Sequence, residues 1–448
     1  MGDLFGTDGV RGVANQDLTP ELAFKLGRAG ASVLEEEARF SCGEKEKVFI
    51  GRDTRISGDM LAAALAAGVN SLGIDTVDLE VVPTPTVSYL TRSRPVIGGI
   101  MVSASHNPIQ DNGIKFFGSG GMKISEEMEE EIETRLEAEL VRPTHEKVGR
   151  QQEGRYLIEF YLNSLLTSYT GDISGLSVVL DCCHGAAHKL GPQILKRAGL
   201  EKIKVINHSG QGELINVDCG STNTRVLRET VLVEGADLGI ALDGDADRVI
   251  LIDEQGREID GDYIMYICGS HLSRRGRLKG NRVVATRYSN LGLAEALEKS
   301  GVEVIYADNG DKYVLARIQE LNLSLGGEKS GHIIFKEHNV SGDGMLTALK
   351  IMEVMAETGK PLSKLAEGLK EWPQLLKNVR VENKEMLEGN SRISRIVAEG
   401  ERELQEGRIF VRASGTEPVI RLMLEGRDKA LLEKWGERIA GVVGEELN

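Results

Sequence analysis

Proline is scarce in this chain, ten residues in 448, and no apolar stretch approaches the length needed to cross a bilayer. Cysteine is scarce too. The five thiols (Cys42, Cys182, Cys183, Cys219 and Cys268) are odd in number and show no CxxC spacing, which excludes a plain disulfide framework and suits reduced side chains. Net positive charge is absent: 54 basic residues against 69 acidic ones leave −15, which argues against a general nucleic-acid binder yet permits local basic pockets for small anions. The opening "MGDLFGTDGVRG" lacks a basic segment followed by an apolar one, and Gly6 stands where a myristoylation motif needs Ser or Thr. These absences predict a soluble protein of the cytoplasm, with no membrane and no nucleic acid among its partners.

What is present is glycine. Its 53 residues, set against so few prolines, suit turns and ligand loops better than disorder. The length exceeds what one core can organise and predicts three or four units. Three segments share one grammar of strand, polar loop, amphipathic helix and second strand, beginning at Val48, Val178 and Val283. Each reads as a βαβ unit with a parallel strand pair. Some forty to sixty residues after each opening strand, on the order of one more such unit, comes a second polar loop: "SASHNP", "DGDADR" and "GGEKSGH". Ligands in such sheets sit beyond the carboxyl ends of the strands, so three related domains could each aim one loop at a shared cleft. The expected boundaries are 1–149, 150–254, 255–370 and 371–448. The first three read as α/β mixed-sheet domains. The last reads strand, helix, strand, strand, helix, an α+β unit.

In "DGDADRVILID", Asp243, Asp245 and Asp247 alternate between two apolar runs. Two acids would read as a solvated hairpin tip. Three in alternation can aim hard oxygen ligands at one cation. An EF-hand is excluded, because Arg248 replaces the glycine its turn requires and strands flank the loop. Few ligands beside a phosphate favour Mg²⁺, one per subunit. "RASGTEPVIRLM" offers the backbone amides of Ser414, Gly415 and Thr416 between Arg412 and Arg421, a cradle for a phosphate as well as a hairpin turn. "GGEKSGH" places Glu328, Ser330 and His332 on one loop, a donor and acceptor mixture suited to sugar hydroxyls. Arg11, and Arg52 with Arg55, mark further cationic loops that alone would be turns with surface ion pairs.

"MVSASHNPIQDNGIKFF" carries Ser105 and His106 side by side. No G-x-S-x-G elbow surrounds the serine, and in an extended loop the two side chains diverge, so a hydrolase triad is not expected. A serine facing three carboxylates and a metal can instead carry a phosphoryl group, with Lys115 moving protons at a sugar hydroxyl.

These motifs, "FGTDGVRG", "SASHNPIQDNGIKFFG", "DGDADR", "GGEKSGHIIF" and "RASGTEP", run in one order along essentially the whole chain, and the sequence resembles the α-D-phosphohexomutase superfamily, most closely its bacterial amino-sugar branch. The resemblance implies four domains around a central cleft. It implies that Ser105 is phosphorylated and that Asp243, Asp245 and Asp247 bind Mg²⁺ together with that phosphoserine. Lys115, Arg11, Arg248 and His332 would surround the reacting groups. Glu328 and Ser330 would read sugar hydroxyls, and Arg412, Ser414, Gly415, Thr416 and Arg421 would hold the non-reacting phosphate. The implied reaction interconverts glucosamine 6-phosphate and glucosamine 1-phosphate through glucosamine 1,6-bisphosphate, which also serves as activator, and supplies UDP-N-acetylglucosamine synthesis for the cell wall. The alternative is the same chemistry on glucose or mannose phosphates. A homodimer is compatible with this reading. The sequence departs from the pattern at Cys183 and His184, and at Asn309 and Lys312 in the loop where the wider family discriminates sugars. A non-catalytic sugar-phosphate binder would not need the intact serine loop and three aspartates. A phosphatase would not need a second phosphate cradle.

Overall fold

The computed structural model describes residues 4–6, 8–38, 46–414 and 418–448. The chain falls into two compact units: residues 1–289 with 297–368, and residues 290–296 with 369–448.

The first unit holds three sheets built on one plan. In the seven-stranded sheet, Lys47–Arg52 pairs in parallel with Asp75–Val81 on one side and Gly98–Val102 on the other. In the five-stranded sheet, Ser177–Asp181 lies parallel to Lys202–Ile206 and to Leu238–Leu242. In the four-stranded sheet, Arg282–Thr286 lies parallel to Glu303–Ala307 and to Leu325–Gly327. The three repeats expected from Val48, Val178 and Val283 are these parallel pairs, with helices Gly58–Asn70, Leu190–Arg197 and Leu291–Glu298 between their strands.

The plan extends one strand further than the repeat suggests. In each sheet the third parallel strand turns back into an antiparallel neighbour: Gly98–Val102 into Asp111–Gly118, Leu238–Leu242 into Val249–Asp253, and Leu325–Gly327 into Ile333–Phe335. The serine, triple-aspartate and Glu328 loops are the three connections. Each therefore leaves the carboxyl end of a parallel strand, where backbone donors and acceptors are released from the ladder and can serve a ligand. The strands that carry them are buried along their length (Gly98–Val102 and Leu238–Leu242 at every position), as apolar runs in parallel sheets require. The first sheet also takes an edge strand from residues Gln151–Glu153, which pairs with Asp75–Val81 beyond the linker.

Helix Gly344–Thr358 is buried on nearly every face from Gly344 to Met355, its mostly apolar sequence interrupted by Lys350 and Glu353, which pair with each other at 3.0 Å. Asp343 caps its start, accepting from the Leu346 amide at 2.9 Å, and Gly359 ends it in the left-handed conformation at φ 63°.

The second unit is a three-stranded antiparallel sheet, Gln374–Arg380, Val419–Glu425 and Arg408–Ala413 in spatial order, with helices Ser391–Leu404 and Lys429–Leu447. Its core joins Ile420, Leu422 and Leu424, alternate residues of the central strand, to Trp435, Ile439 and Val443 on the last helix.

Candidate active site

Ser105 occupies the first loop with φ 52°, a left-handed backbone that a serine rarely adopts. Three contacts hold it there. Its amide donates to Ser103 Oγ at 2.9 Å, and its carbonyl accepts from Arg55 at 3.0 Å and from the Asn216 carboxamide at 2.9 Å. The Arg55 guanidinium is buried and also donates to the carbonyls of Asn107, Pro108 and Asp111, while its Nε reaches Asp53 at 3.0 Å. It is no surface ion pair; one arginine organises the whole turn. Ser103 donates to Asp53 at 2.6 Å, so the neighbouring serine is spent on this framework.

With the backbone so turned, the Ser105 hydroxyl donates to Asp243 Oδ2 at 2.7 Å. It also lies 3.4 Å from His106 Nδ1, which corrects the expectation that the two side chains diverge; the positive φ brings them together. His106 is still no triad base. Its Nδ1 faces the Arg248 guanidinium at 3.1 Å, and burial with the charges of Arg248 and Arg11 pulls its pKa down to about 4.

The acidic loop packs directly on this turn. A Cβ at Gly244 would lie 2.5 Å from the Ser105 carbonyl oxygen, so only glycine fits between Asp243 and Asp245. Asp243, Asp245 and Asp247 are buried, and one oxygen of each lies within 4.8 Å of the others. Asp245 Oδ2 accepts from Thr84 at 2.6 Å and from Lys115 at 2.9 Å. The second oxygens of Asp245 and Asp247 are buried with no hydrogen-bond partner. Burial, with Asp247 and Asp245 as neighbours, pushes the Asp243 carboxyl well above the usual range. Three close carboxylates with two unsatisfied oxygens are a hard-oxygen donor set short of positive charge, which is what a small divalent cation supplies.

Lys115 projects from strand Asp111–Gly118 and is 1% exposed. Its ammonium also lies 3.2 Å from Asp8 and 3.9 Å from Asp247. Burial pulls its pKa down, but Asp245, Asp8 and Asp247 outweigh that and raise it. Arg11, on strand Gly9–Val13 beside Lys115's strand, donates to the Asn107 side chain at 2.9 Å and pairs with Asp8.

The third loop closes on the second through the backbone: the Val249 amide donates to the Gly331 carbonyl at 3.2 Å. Gly331 has φ 92°, and a Cβ there would stand 2.1 Å from the Val249 oxygen. His332 Nδ1 thereby lies 3.5 Å from Asp247. Glu328 accepts from the Gly310 amide at 3.1 Å and from the Ser330 hydroxyl at 3.2 Å, joining the Glu328 loop to the loop of Asn309 and Lys312.

Ser105, Lys115, Arg11, Arg248, His332 and the three aspartates thus meet at one place, with Glu328 and Ser330 on the loop that carries His332. In the second unit, Arg412 and Arg421 stand directly opposite each other in the antiparallel pair Arg408–Ala413 and Val419–Glu425. Like charges so placed repel, and an anion between them would relieve this. Ser414 is buried, its amide donating to the Val419 carbonyl at 2.9 Å. Gly415 and Thr416 lie outside the described residues.

Sequence reasoning passed over Asp8, Lys123, Asp311 and Asn216. Asp8 could have been noticed, three residues before Arg11 in a loop already picked out as cationic. Cys183 and His184, the departures from the expected pattern, both adopt positive φ (55° and 50°), and the Cys183 thiol donates to Asn216 at 3.0 Å, behind the carboxamide that holds Ser105.

Three α/β layers that each present a loop to one serine, carboxylate and lysine cluster define a phosphohexose mutase. Family models for phosphoglucomutase/phosphomannomutase match the chain in four parts: alpha/beta/alpha domain I at residues 2–142, domain II at 159–256, domain III at 260–372 and the C-terminal domain at 376–442. The chain belongs to the phosphoglucomutase/phosphomannomutase family. It is 48% identical to the phosphoglucosamine mutase of Desulforamulus reducens over 448 residues, covering 99% of this chain and 100% of that one. It is 49% identical to the phosphoglucosamine mutase of Desulforudis audaxviator over 449 residues, covering 99% and 98%. The crystal structure of a phosphoglucomutase/phosphomannomutase family protein from Burkholderia thailandensis superposes with a TM-score of 0.81 at 22% identity, covering 99% of this chain and 98% of that one.

Proposed function

We propose that the chain interconverts glucosamine 6-phosphate and glucosamine 1-phosphate, with Ser105 as the phosphoryl carrier. The observation that carries this reading is the Ser105 hydroxyl aimed at Asp243, in a pocket where one oxygen each of Asp245 and Asp247 is buried without a hydrogen-bond partner. Asp243, Asp245 and Asp247 would hold one Mg²⁺, which when bound offsets the charge of the phosphoserine beside it. The phosphoserine P–O bond breaks as a new one forms to the sugar's C1 oxygen, and Lys115 relays the proton: its ammonium gives one to the leaving Ser105 oxygen as it takes the one released by the C1 hydroxyl. The resulting glucosamine 1,6-bisphosphate turns over and returns its other phosphoryl to Ser105, the proton going back to the C6 oxygen. Arg11 and Arg248 flank the transferring group with positive charge. Glu328 and Ser330 take the sugar hydroxyls, and Arg412, Ser414 and Arg421, with Gly415 and Thr416, take the distant phosphate. The domains at 1–149, 150–254, 255–370 and 371–448 would then supply the serine, metal, sugar and phosphate loops respectively.

The amino-sugar preference is supported by the full-length likeness to proteins named phosphoglucosamine mutase. The product would supply UDP-N-acetylglucosamine synthesis. Among the described residues no helix is long and apolar enough to cross a membrane, and Cys182, Cys183, Cys219 and Cys268 are free thiols, which suits a cytoplasmic enzyme, monomeric or dimeric. The test is a panel of glucosamine, glucose and mannose 6-phosphates with Mg²⁺, followed by phosphorus NMR. The highest kcat/KM on the glucosamine compound is expected. A higher value on glucose or mannose phosphate would move the assignment to that sugar.

A further inference from the structure

Six ionisable side chains in the first unit, three carboxylates alternating with two lysines and a histidine, close into a ring. Lys115 lies 3.2 Å from Asp8, Asp8 pairs with Lys123, and Lys123 lies 2.7 Å from Asp311. Asp311 lies 3.7 Å from His332, His332 lies 3.5 Å from Asp247, and Asp247 returns to Lys115 at 3.9 Å. Four of the six, Lys115, Asp8, His332 and Asp247, already belong to the site described above. Lys123 and Asp311 do not, and Lys123 is the link in this ring between Asp8 and Asp311.

Its position in the fold is specific. Strand Asp111–Gly118, which carries Lys115, turns tightly, and Lys123 returns to bridge Phe117 in antiparallel register. Asp311 opens helix Asp311–Glu320 immediately after Gly310, whose amide donates to Glu328. A continuous path therefore runs from the sugar-reading Glu328, through Gly310, Asp311, Lys123 and Asp8, to Lys115. Neither partner of Lys123 is idle: Asp8 is shared with Lys115 and Arg11, and Asp311 lies against His332. Without the Lys123 ammonium, Asp8 would draw more strongly on Lys115, and Asp311 would lose the contact that anchors its loop. An adhesive surface pair would leave both groups unmoved. Lys123 is 18% exposed at its side chain, so its charge is only partly screened.

We propose that Lys123 is a positioning residue for the transfer reaction: it ties the loop at residues 309–312 to the Asp8–Lys115 pair, so that the sugar substituent read in the third domain sets the placement of the proton-transferring ammonium. This rests on the mutase reading above, and it adds a determinant of sugar preference that touches no sugar.

The test compares Lys123→Met and Lys123→Arg with the wild-type enzyme on glucosamine 6-phosphate and glucose 6-phosphate. Loss of a charge-assisted contact should lower kcat of Lys123→Met roughly ten- to hundredfold, with KM within about threefold, because the phosphate contacts remain. The preference for glucosamine over glucose phosphate should narrow by about fivefold or more, and Lys123→Arg should restore both kcat and preference to within about threefold. If Lys123→Met does not fold, Asp311→Asn breaks the same link and carries the same expectations. Wild-type kcat in the Lys123→Met enzyme, or a lowered kcat with unchanged sugar preference, would overturn the proposal. A wild-type protein that turns over no hexose phosphate would instead overturn the mutase reading.

Discussion

The hydroxyl of Ser105 and Oδ2 of Asp243 are 2.7 Å apart although 138 residues separate them in the chain. The contact joins the carboxyl end of a strand in one sheet to the corresponding end in the next, and it sets the reacting atom against the only buried carboxylate triad found among the described residues.

That triad should make turnover depend on a divalent cation. Asp245→Asn removes a charged ligand from a small ion that tolerates few substitutes, and it leaves Lys115 one carboxylate poorer. Mg²⁺ affinity by titration calorimetry should fall together with kcat, and chelation should abolish wild-type activity. Unchanged Mg²⁺ affinity in Asp245→Asn would remove that residue from the ligand set.

Arg55 should matter more to folding than its place on a polar loop suggests. Arg55→Met leaves Asp53 buried without its counter-charge and strips donors from four carbonyls of the serine turn. Breaking such a buried pair costs about 3–5 kcal/mol. By contrast Arg225→Met, at an exposed helix pair with Glu229, should stay within about 0.5 kcal/mol of wild type. Denaturant titration of both variants separates them.

Asp343 gives a pH signature. Burial raises its carboxyl to about 6, against the offsetting hydrogen bonds from Leu346 and Tyr161. The folded state therefore keeps a proton that the unfolded chain releases near pH 4, and the stability this contributes at low pH is lost as pH rises through 6. Asp343→Asn keeps a helix-capping oxygen and removes the titration. It should be more stable than wild type at pH 7, by on the order of 1–3 kcal/mol, with the advantage vanishing toward pH 4. An advantage that is constant across that range would contradict the assignment.

The arginine pair of the second unit separates a mutase from a one-way phosphatase. A mutase binds either phosphate of the intermediate in a cradle that touches no breaking bond. Arg421→Ala should therefore lower kcat/KM in both directions by roughly ten- to hundredfold, the loss of one charge-assisted contact. It should also release more 1,6-bisphosphate, while Mg²⁺ affinity stays at the wild-type value. Wild-type kcat/KM in both directions would remove Arg421 from the phosphate-binding set.

The parts of this site that lie close in sequence were legible before the fold. Asp243, Asp245 and Asp247 announce themselves by alternation, and the strand, helix, strand grammar located all three parallel pairs. What sequence could not show is what only tertiary structure assembles. Lys123 and Asp311 stand 188 positions apart; Lys123 sits in no recognisable motif, and nothing in the loop of Asn309 and Lys312 points its Asp311 toward that lysine. Arg55 looked like a surface residue because its partners are backbone carbonyls some fifty residues on, and a carbonyl leaves no mark in a sequence. Ser105 and His106 were misjudged for a local reason: a positive φ at a serine is uncommon and has no residue signature, so an extended loop was the natural expectation.

The most direct measurement is phosphopeptide mapping of the wild-type protein after incubation with glucosamine 1,6-bisphosphate and Mg²⁺, then again after a chase with glucosamine 6-phosphate. The phosphate should appear on Ser105 and pass to the sugar in the chase, and Ser105→Ala should take up none while keeping its fold. Phosphate on Ser103, or sustained turnover with Ser105 unmodified throughout, would contradict the account.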